Sequence, residues 1–444
     1  MTEQLSFGAL RKILRDAFGQ LPDYRTGKNT RYTVRDATLG AFSVFFMQCR
    51  SFLAYQRDMQ RRKGCNNAQS LFGVRHIPSD AQIRNLLDPI VPADLQAPFW
   101  DILERLMENK RVAAAFDVDG GWLCSLDGTQ YFGSNKISCS QCTVTHRDNV
   151  PSYAHTVLIA VLAKPGMKDV LVLEPEFITP QDGSEKQDCE RNAARRWITR
   201  NADRFSGRSV TILADDLHCN QPFCELLLDH HLDFILTCKP SSHATLYEEV
   251  ALLDQCGGVT HCEDRVWTGQ GYQLWHYRFV EHVPLRVPPH ALHVNWCELT
   301  ITREDTGEKL YHNAFATNHT LTEETVRATI TAGRARWKVE NEGNNVLKNH
   351  GYHLEHNYGH GRQHLSTVLV MLILLAVLVM LILLAFLCHT TLHLCDRAYQ
   401  QLRAELGTRR TFFDDLRTLT RYLFFKSWEH LIAFMVTGLE LSPE

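Results

Sequence analysis

No surplus of positive charge marks this chain: 47 Lys and Arg stand against 50 Asp and Glu in 444 residues, a net charge of −3. A nucleic-acid binder that relies on a globally basic surface is excluded, so any such contact must come from a local patch. A secretory leader is also lacking, because MTEQLSFGALRKILRD is amphipathic and charged from the outset. Without an export signal, the 14 cysteines point to a reducing compartment and not to a disulfide framework. A cytoplasmic protein is expected.

What is present is enough apolar material for two or three cored domains, 44% of the residues being hydrophobic. The charge is uneven. Residues 1 to 65 hold 12 Lys and Arg against 5 Asp and Glu, a local excess of seven that suits either a duplex-binding arm or a solvated helical face.

Hydrophobic periodicity divides the chain. Residues 1–112 read as short helices: DATLGAFSVFFMQCRSFLAYQRDM is strongly apolar, and PSDAQIRNLLD has Ser79 or Asp80 as a capping residue. Residues 113–239 alternate, with strands near 122–132, 155–162 and 170–173, the helix KQDCERNAARRWITRNADRF, a strand ending at Asp215, another helix, and HLDFILTCK. Residues 240–320 hold YQLWHYRFVEHV, ALHVNWCELTIT and KLYHNAFAT, which alternate apolar and polar residues between turn signals and predict a β-rich antiparallel insertion. Residues 321–395 return to helix, and 396–444 read as C-terminal helices, where ELGTRRTFFDDLRTLTRYLFFKSWEHLIAFMVTGLE gives two amphipathic ones with aromatic anchors Phe412, Phe413, Tyr422 and Trp428. These last helices suit either packing against the core or dimerisation.

Three acids stand out against this frame. Asp127 lies in the strand-like WLCSLDGTQYFG, Asp215 closes the β-branched run SVTILAD, and Glu340 lies in RARWKVENEGNNVLKNHG, which has helical spacing. Taken singly, acids at strand ends are common turn residues or caps. Together they would form a cage of hard oxygen ligands for Mg²⁺ or Mn²⁺, where two ions about 4 Å apart can clamp both oxygens of a phosphodiester displacement.

On these residues the chain resembles a DDE transposase of the bacterial insertion-sequence type. The separations fit that family, with 88 residues between the aspartates and 125 from Asp215 to Glu340. The resemblance implies an α/β, ribonuclease-H-like catalytic domain with a β-rich insertion before the last acid. It also implies double-stranded DNA as partner, both the transposon's terminal inverted repeats and the target, and a homodimer in the synaptic complex. In the family the glutamate helix carries Tyr-x2-Arg-x3-Glu-x6-Lys. Arg336 and Glu340 fall on it, Gly333 stands at the tyrosine position, and Lys348 lies one residue late. Arg336 and Lys348 are the DNA-contacting positions this implies. A stand-alone metal-dependent nuclease, and an inactive or membrane-associated remnant, are the competing readings.

Register chooses among neighbouring acids. Asp215, not Asp216, directly follows the strand, and Glu340, not Glu342, lies four residues after Arg336 on one helical face. Cys139 and Cys142, followed by His146, His155 and Cys189, could close a structural Zn²⁺ site across a hairpin, though buried free cysteines give the same pattern. His350, His353, His356, His360 and His364 are read as DNA-facing or polar packing, because Gly359 and Gly361 break any single helical face.

The uncharged run Val368 to Cys388 is long enough to span a bilayer. It is also a tandem copy, VLVMLILLA occurring at 368–376 and again at 377–385. One copy removed leaves a core-helix length, so a buried helix lengthened by duplication is expected, with no membrane partner. Nine residues turn a helix by a net half turn, which predicts that the part beyond Ala385 presents its opposite face.

Overall fold

The protein is described from a computed structural model, covering residues 5–26, 31–49, 51–59, 66–136, 142–147, 150–179, 189–355 and 365–441, with backbone alone for 80, 147 and 365–375. The N-terminal region folds into α1 (Phe7–Phe18), α2 (Val34–Phe46), α3 (Phe52–Met59), α4 (Asn67–Phe72), α5 (Asp80–Leu87), α6 (Ala97–Glu108) and α7 (Lys110–Phe116). Ser79 caps α5 by accepting from the Gln82 amide at 3.3 Å. Helix α2 is buried on nearly every side, which explains why its apolar residues fill the run without a clear stripe.

The middle of the chain is a mixed sheet between helices. Its strands are β1 (Gly121–Ser134), β2 (Thr143–Arg147), β3 (Val150–Ala163), β4 (Leu171–Val172), β5 (Glu176–Ile178), β6 (Ser209–Ala214) and β7 (Asp233–Thr237), then β8 (Thr260–Trp267), β9 (Tyr272–Pro284), β10 (His293–Arg303) and β11 (Lys309–Thr317). Among the described residues they form one sheet in the order β2-β3-β1-β6-β7-β11-β10-β9-β8, with β4 and β5 also on β3. Strand β1 is antiparallel to β3 and parallel to β6, and β6 is parallel to β7. Helices α8 (Glu190–Asn201) and α9 (Gln221–Asp229) make the crossovers.

The expected β insertion differs in two ways. It opens with a helix, α10 (Ala244–Gln255), which buries Leu246 and Val250 one turn apart, and its strands do not form a sheet of their own. β11 pairs with β7, Phe315 lying opposite Thr237, so the antiparallel strands extend the central sheet. The unpaired edge of β7 provides the reason, since a strand edge left open is a template for further pairing.

The glutamate segment is also not one regular helix. Helix α11 (Thr325–Arg334) gives way to a single π-helical turn, Val339–Asn344, and then to α12 (Asn345–Asn349). A π turn inserted in a helix is energetically poor and recurs at functional positions. Gly333 near the end of α11 has no room for a side chain, because a Cβ there would come within 2.9 Å of both Ile235 and Phe315. The family's tyrosine therefore cannot occupy this position without moving α11 off the sheet.

Helix α13 (Leu365–Cys395) runs unbroken through the duplication. It is the one helix among the described residues long and apolar enough to cross a membrane, yet 89% of its described window is packed inside the protein. The second copy, Val377 to Ala385, is wholly buried against α2 and the helices around it. Phe386, Cys388 and His389 beyond it are buried too, with the His389 ring 4.3 Å from Phe46 and 4.7 Å from Phe413. The unrepeated residues after Ala385 are thus locked into the core.

The chain closes with α14 (Arg397–Glu405), α15 (Arg409–Tyr422) and α16 (Trp428–Gly438), the last two being the expected pair of amphipathic helices. Phe412, Phe413 and Trp428 are buried as anchors, but Tyr422 is 59% exposed. Trp428 stacks on Phe7 at 4.6 Å, and Asn67 donates to the carbonyls of Thr420 and Leu423 at 2.7 and 2.8 Å. Residues 1–112 therefore share one core with the C-terminal helices.

Candidate active site

Parallel pairing brings the two aspartates together. The last register pair of β1 and β6 is Ser125 with Leu213. Two residues further along each strand stand Asp127 and Asp215, so the 88-residue spacing equals the register offset and both side chains leave the same face. Glu340 comes from the π turn that packs on β1 and β3, and Arg336 holds its Oε1 at 2.7 Å. Asn344, four residues on, donates from Nδ2 to Asp127 Oδ2 at 2.8 Å.

Charge is crowded here. Burial, then the carboxylates of Glu340 and Glu190, push the Asp127 carboxyl up to about 7; Arg336 opposes the rise and Asp215 adds to it. Glu190 was not foreseen from the sequence. It is the first residue of α8, its Oε1 lies 3.2 Å from His218 Nε2, and its carboxylate sits so close to Gly128 that a Cβ there would overlap it. Nothing in its spacing singles it out, and Asn344 is likewise silent in sequence because an amide belongs to no acidic motif.

The neighbouring acids point elsewhere. Asp215 Oδ1 accepts from the Leu217 amide at 3.0 Å, while Asp216 accepts from the Lys239 amide at 2.7 Å and from the Ser242 hydroxyl. Glu342 lines a separate hollow with Trp337, Lys338 and Asn341. Arg336 is mostly buried, its side chain 12% exposed, and so serves the carboxylates first. Lys348 pairs with Glu355 at 2.7 Å.

The donor set fits divalent cations. Elsewhere in the protein, Glu174 and Glu176 are buried but matched by Arg196 and Arg200, with contacts of 2.6 to 2.9 Å. Asp127 and the three acids beside it, Glu340, Glu190 and Asp215, have Arg336 as the one cation among the causes that shift Asp127. Hard oxygens short of positive charge are what Mg²⁺ and Mn²⁺ need. Beside Asp215 a hollow of about 590 Å³ is lined by Arg191, Lys239 and Arg286, which places positive charge at its edge.

The other suspected metal ligands separate. Cys142 Sγ meets His155 Nε2 at 3.3 Å, and burial lowers His155 to about 4. His146 and Cys189 are exposed, and Cys139 lies outside the described residues. His350 and His353 line a hollow with Arg409, Arg410 and Arg417; His356, His360 and His364 fall outside the described residues.

The chain matches no protein-family model and no curated protein.

Proposed function

We propose that this protein is a cut-and-paste DNA transposase of the DDE type, built on a ribonuclease-H-like core. The observation that carries the reading is the meeting of Asp127 in the middle of β1, Asp215 directly after the register-matched β6, and Glu340 in the facing π turn. The order of antiparallel strands β1 to β5, helix α8, strand β6, helix α9 and strand β7, with β3-β1-β6-β7 adjacent in the sheet, supports the fold assignment.

In this reading Asp127, Asp215 and Glu340 hold two Mg²⁺ or Mn²⁺ ions, with Glu190 as a fourth acid at the rim. When bound, such ions supply Lewis-acid stabilisation of the attacking and leaving oxygens of a phosphodiester. Asn344 fixes the orientation of Asp127, and Arg336 fixes that of Glu340. Arg191, Lys239 and Arg286 draw the DNA phosphates toward Asp215, and the basic N-terminal segment adds affinity that does not depend on sequence. The partners are the element's terminal inverted repeats and target DNA, brought together by two protomers in the cytoplasm at the nucleoid.

The test is strand cleavage and joining by the full chain on the DNA that flanks its own coding sequence, with Mg²⁺ or Mn²⁺. Expected are nicks at the ends of short inverted repeats, joined products with target DNA, and loss of both in Asp127→Asn and Asp215→Asn. Cleavage without joining would favour a stand-alone nuclease, and an active Asp127→Asn protein would falsify the site.

A further inference from the structure

A second cluster lies one residue from Asp215 and plays no part in the carboxylate cage. Cys219 sits in the turn between β6 and α9, Cys238 follows β7 directly, and His243 precedes α10. All three are buried, and one ligand atom from each lies within 4.8 Å of the others. The Cys219 and Cys238 thiols hydrogen-bond to each other.

Buried cysteines alone are often inert apolar filler. His243 is not explained that way. The residue is 7% exposed, and its buried Nε2 has no hydrogen-bond partner among the described residues, which costs free energy unless something else occupies the lone pair. The ring does make a hydrogen bond to the Leu285 backbone. With Nε2 unpaired, that bond belongs to Nδ1–H, and it leaves the Nε2 lone pair free to bind a metal, the arrangement by which protein backbone orients metal-bound histidine. Asp216 Oδ1 stands 3.5 Å from Nε2, with the Lys239 amide and the Ser242 hydroxyl holding the carboxylate.

We propose that Cys219, Cys238 and His243 Nε2, with Asp216 as fourth ligand, bind a structural Zn²⁺ ion. Two thiolates, an imidazole and a carboxylate match the ligand set and coordination number of zinc. Zn–S and Zn–N bonds of about 2.3 and 2.0 Å place tetrahedral ligand atoms roughly 3.5 to 3.8 Å apart, so the cluster closes by about an ångström. Binding releases the thiol protons to solvent. The ion ties the turn carrying Asp215 to the loop after β7, and thereby fixes an acid of the cage without belonging to it. The hollow that Cys219 and His243 share with Asp215 is the entry path.

The experiment uses the full chain, purified under reducing conditions with zinc and dialysed, then assayed for bound metal by mass spectrometry and, after exchange, by cobalt absorption. One zinc per chain is expected, with a sulfur-to-cobalt charge-transfer band and the intense visible bands of tetrahedral cobalt. Both should vanish in Cys219→Ser/Cys238→Ser, weaken in His243→Asn, and persist in Cys142→Ser. The cobalt spectrum of the unmutated chain keeps the test valid even where a variant misfolds. A chain without zinc, weak octahedral cobalt bands alone, or zinc lost in Cys142→Ser but kept in the double variant would overturn the proposal. None of these readouts depends on DNA cleavage.

Discussion

Asn344 Nδ2 donates to Asp127 Oδ2 at 2.8 Å, and this single bond ties the turn that carries Glu340 to the strand that carries the first aspartate. The Asn344 Oδ1 is buried without a partner among the described residues, so the amide is held by position and not by a network. Asn344→Ala frees the Asp127 carboxylate to rotate. Loss of such an orienting contact typically costs about 10- to 100-fold in metal affinity or activity. The expected outcome is a higher Mg²⁺ requirement for cleavage, read from rate against Mg²⁺ concentration; an unchanged dependence would show that Asp127 needs no support from the π turn.

Protonation of Asp127 links the site to stability. In the folded, metal-free protein its carboxyl holds a proton up to about pH 7, against an ordinary value of 3.8. The folded state therefore binds more protons than the unfolded chain between those values. The stability from this group is complete below about pH 4 and is lost as pH rises through 7. Asp127→Asn removes the charge but keeps an oxygen for Asn344. Thermal unfolding in EDTA should show wild type losing stability relative to Asp127→Asn as pH goes from 5 to 8, and Mg²⁺ restoring more to wild type at pH 8 than at 5. Parallel curves for the two proteins would refute the raised carboxyl.

The choice of glutamate can be tested directly. Glu340 is gripped by Arg336 and acts on Asp127, whereas Glu342 faces another hollow. Glu340→Gln should lower cleavage by at least about 100-fold, on the order of the loss of one transition-state electrostatic contact. Glu342→Gln should stay within a few-fold. Comparable losses in both would mean the π turn rearranges when DNA binds.

These acids were legible because strand periodicity survives in sequence. WLCSLDGTQYFG and SVTILAD are read as strands, and the spacing of Asp127 and Asp215 is carried into the structure as parallel register. Glu340 was found with an argument only half right, since i, i+4 pairing with Arg336 holds although the helix there is a π turn and not α. Glu190 and Asn344 were invisible because tertiary packing alone brings α8 and the π turn to β1. The insertion was read correctly as antiparallel but not as part of the main sheet, because edge pairing between β7 and β11 leaves no mark in either strand's alternation. The CxxC motif drew attention to Cys139 and Cys142, while the described cluster with ligand geometry joins cysteines 19 residues apart in sequence, on two adjacent strands' loops.

The shared core of the two chain ends carries its own test. Asn67 is buried; it donates to Thr420 and Leu423 and its Oδ1 accepts from the Phe425 amide at 2.9 Å. Asp58 also pairs with Arg421 at 2.9 Å. Asn67→Ala strands three backbone groups at about 1 to 3 kcal/mol each, so a loss of at least roughly 3 kcal/mol is expected in denaturant unfolding. For the same reason a fragment of residues 1–110 should not fold alone, and salt-dependent DNA binding by the basic arm must be measured on the full chain. A cooperatively folded fragment would show that the contacts with α15 and α16 are dispensable.

The repeat in α13 gives the last test. Because the two copies are identical and adjacent, deleting either produces the same chain, and the retained copy must choose its place. Phe386 to Cys395 hold that choice, since these unrepeated residues are fixed by contacts such as His389 between Phe46 and Phe413. The retained nine residues therefore occupy the buried Val377 to Ala385 position, where each large apolar side chain contributes about 1.5 to 3 kcal/mol. Upstream, the start of α13 moves by about 13.5 Å along the helix axis and turns by a net half turn. The expected outcome is a soluble deletion protein that keeps this burial and melts no lower than the intact chain, a loss of about 1 kcal/mol being readable as roughly 2 °C in a chain of this size. A bilayer-spanning role demands the opposite, because the shortened run no longer reaches across a hydrocarbon core of about 30 Å. Intact protein recovered in the membrane pellet, or a deletion protein that unfolds at a markedly lower temperature, would sink the view of α13 as a lengthened core helix.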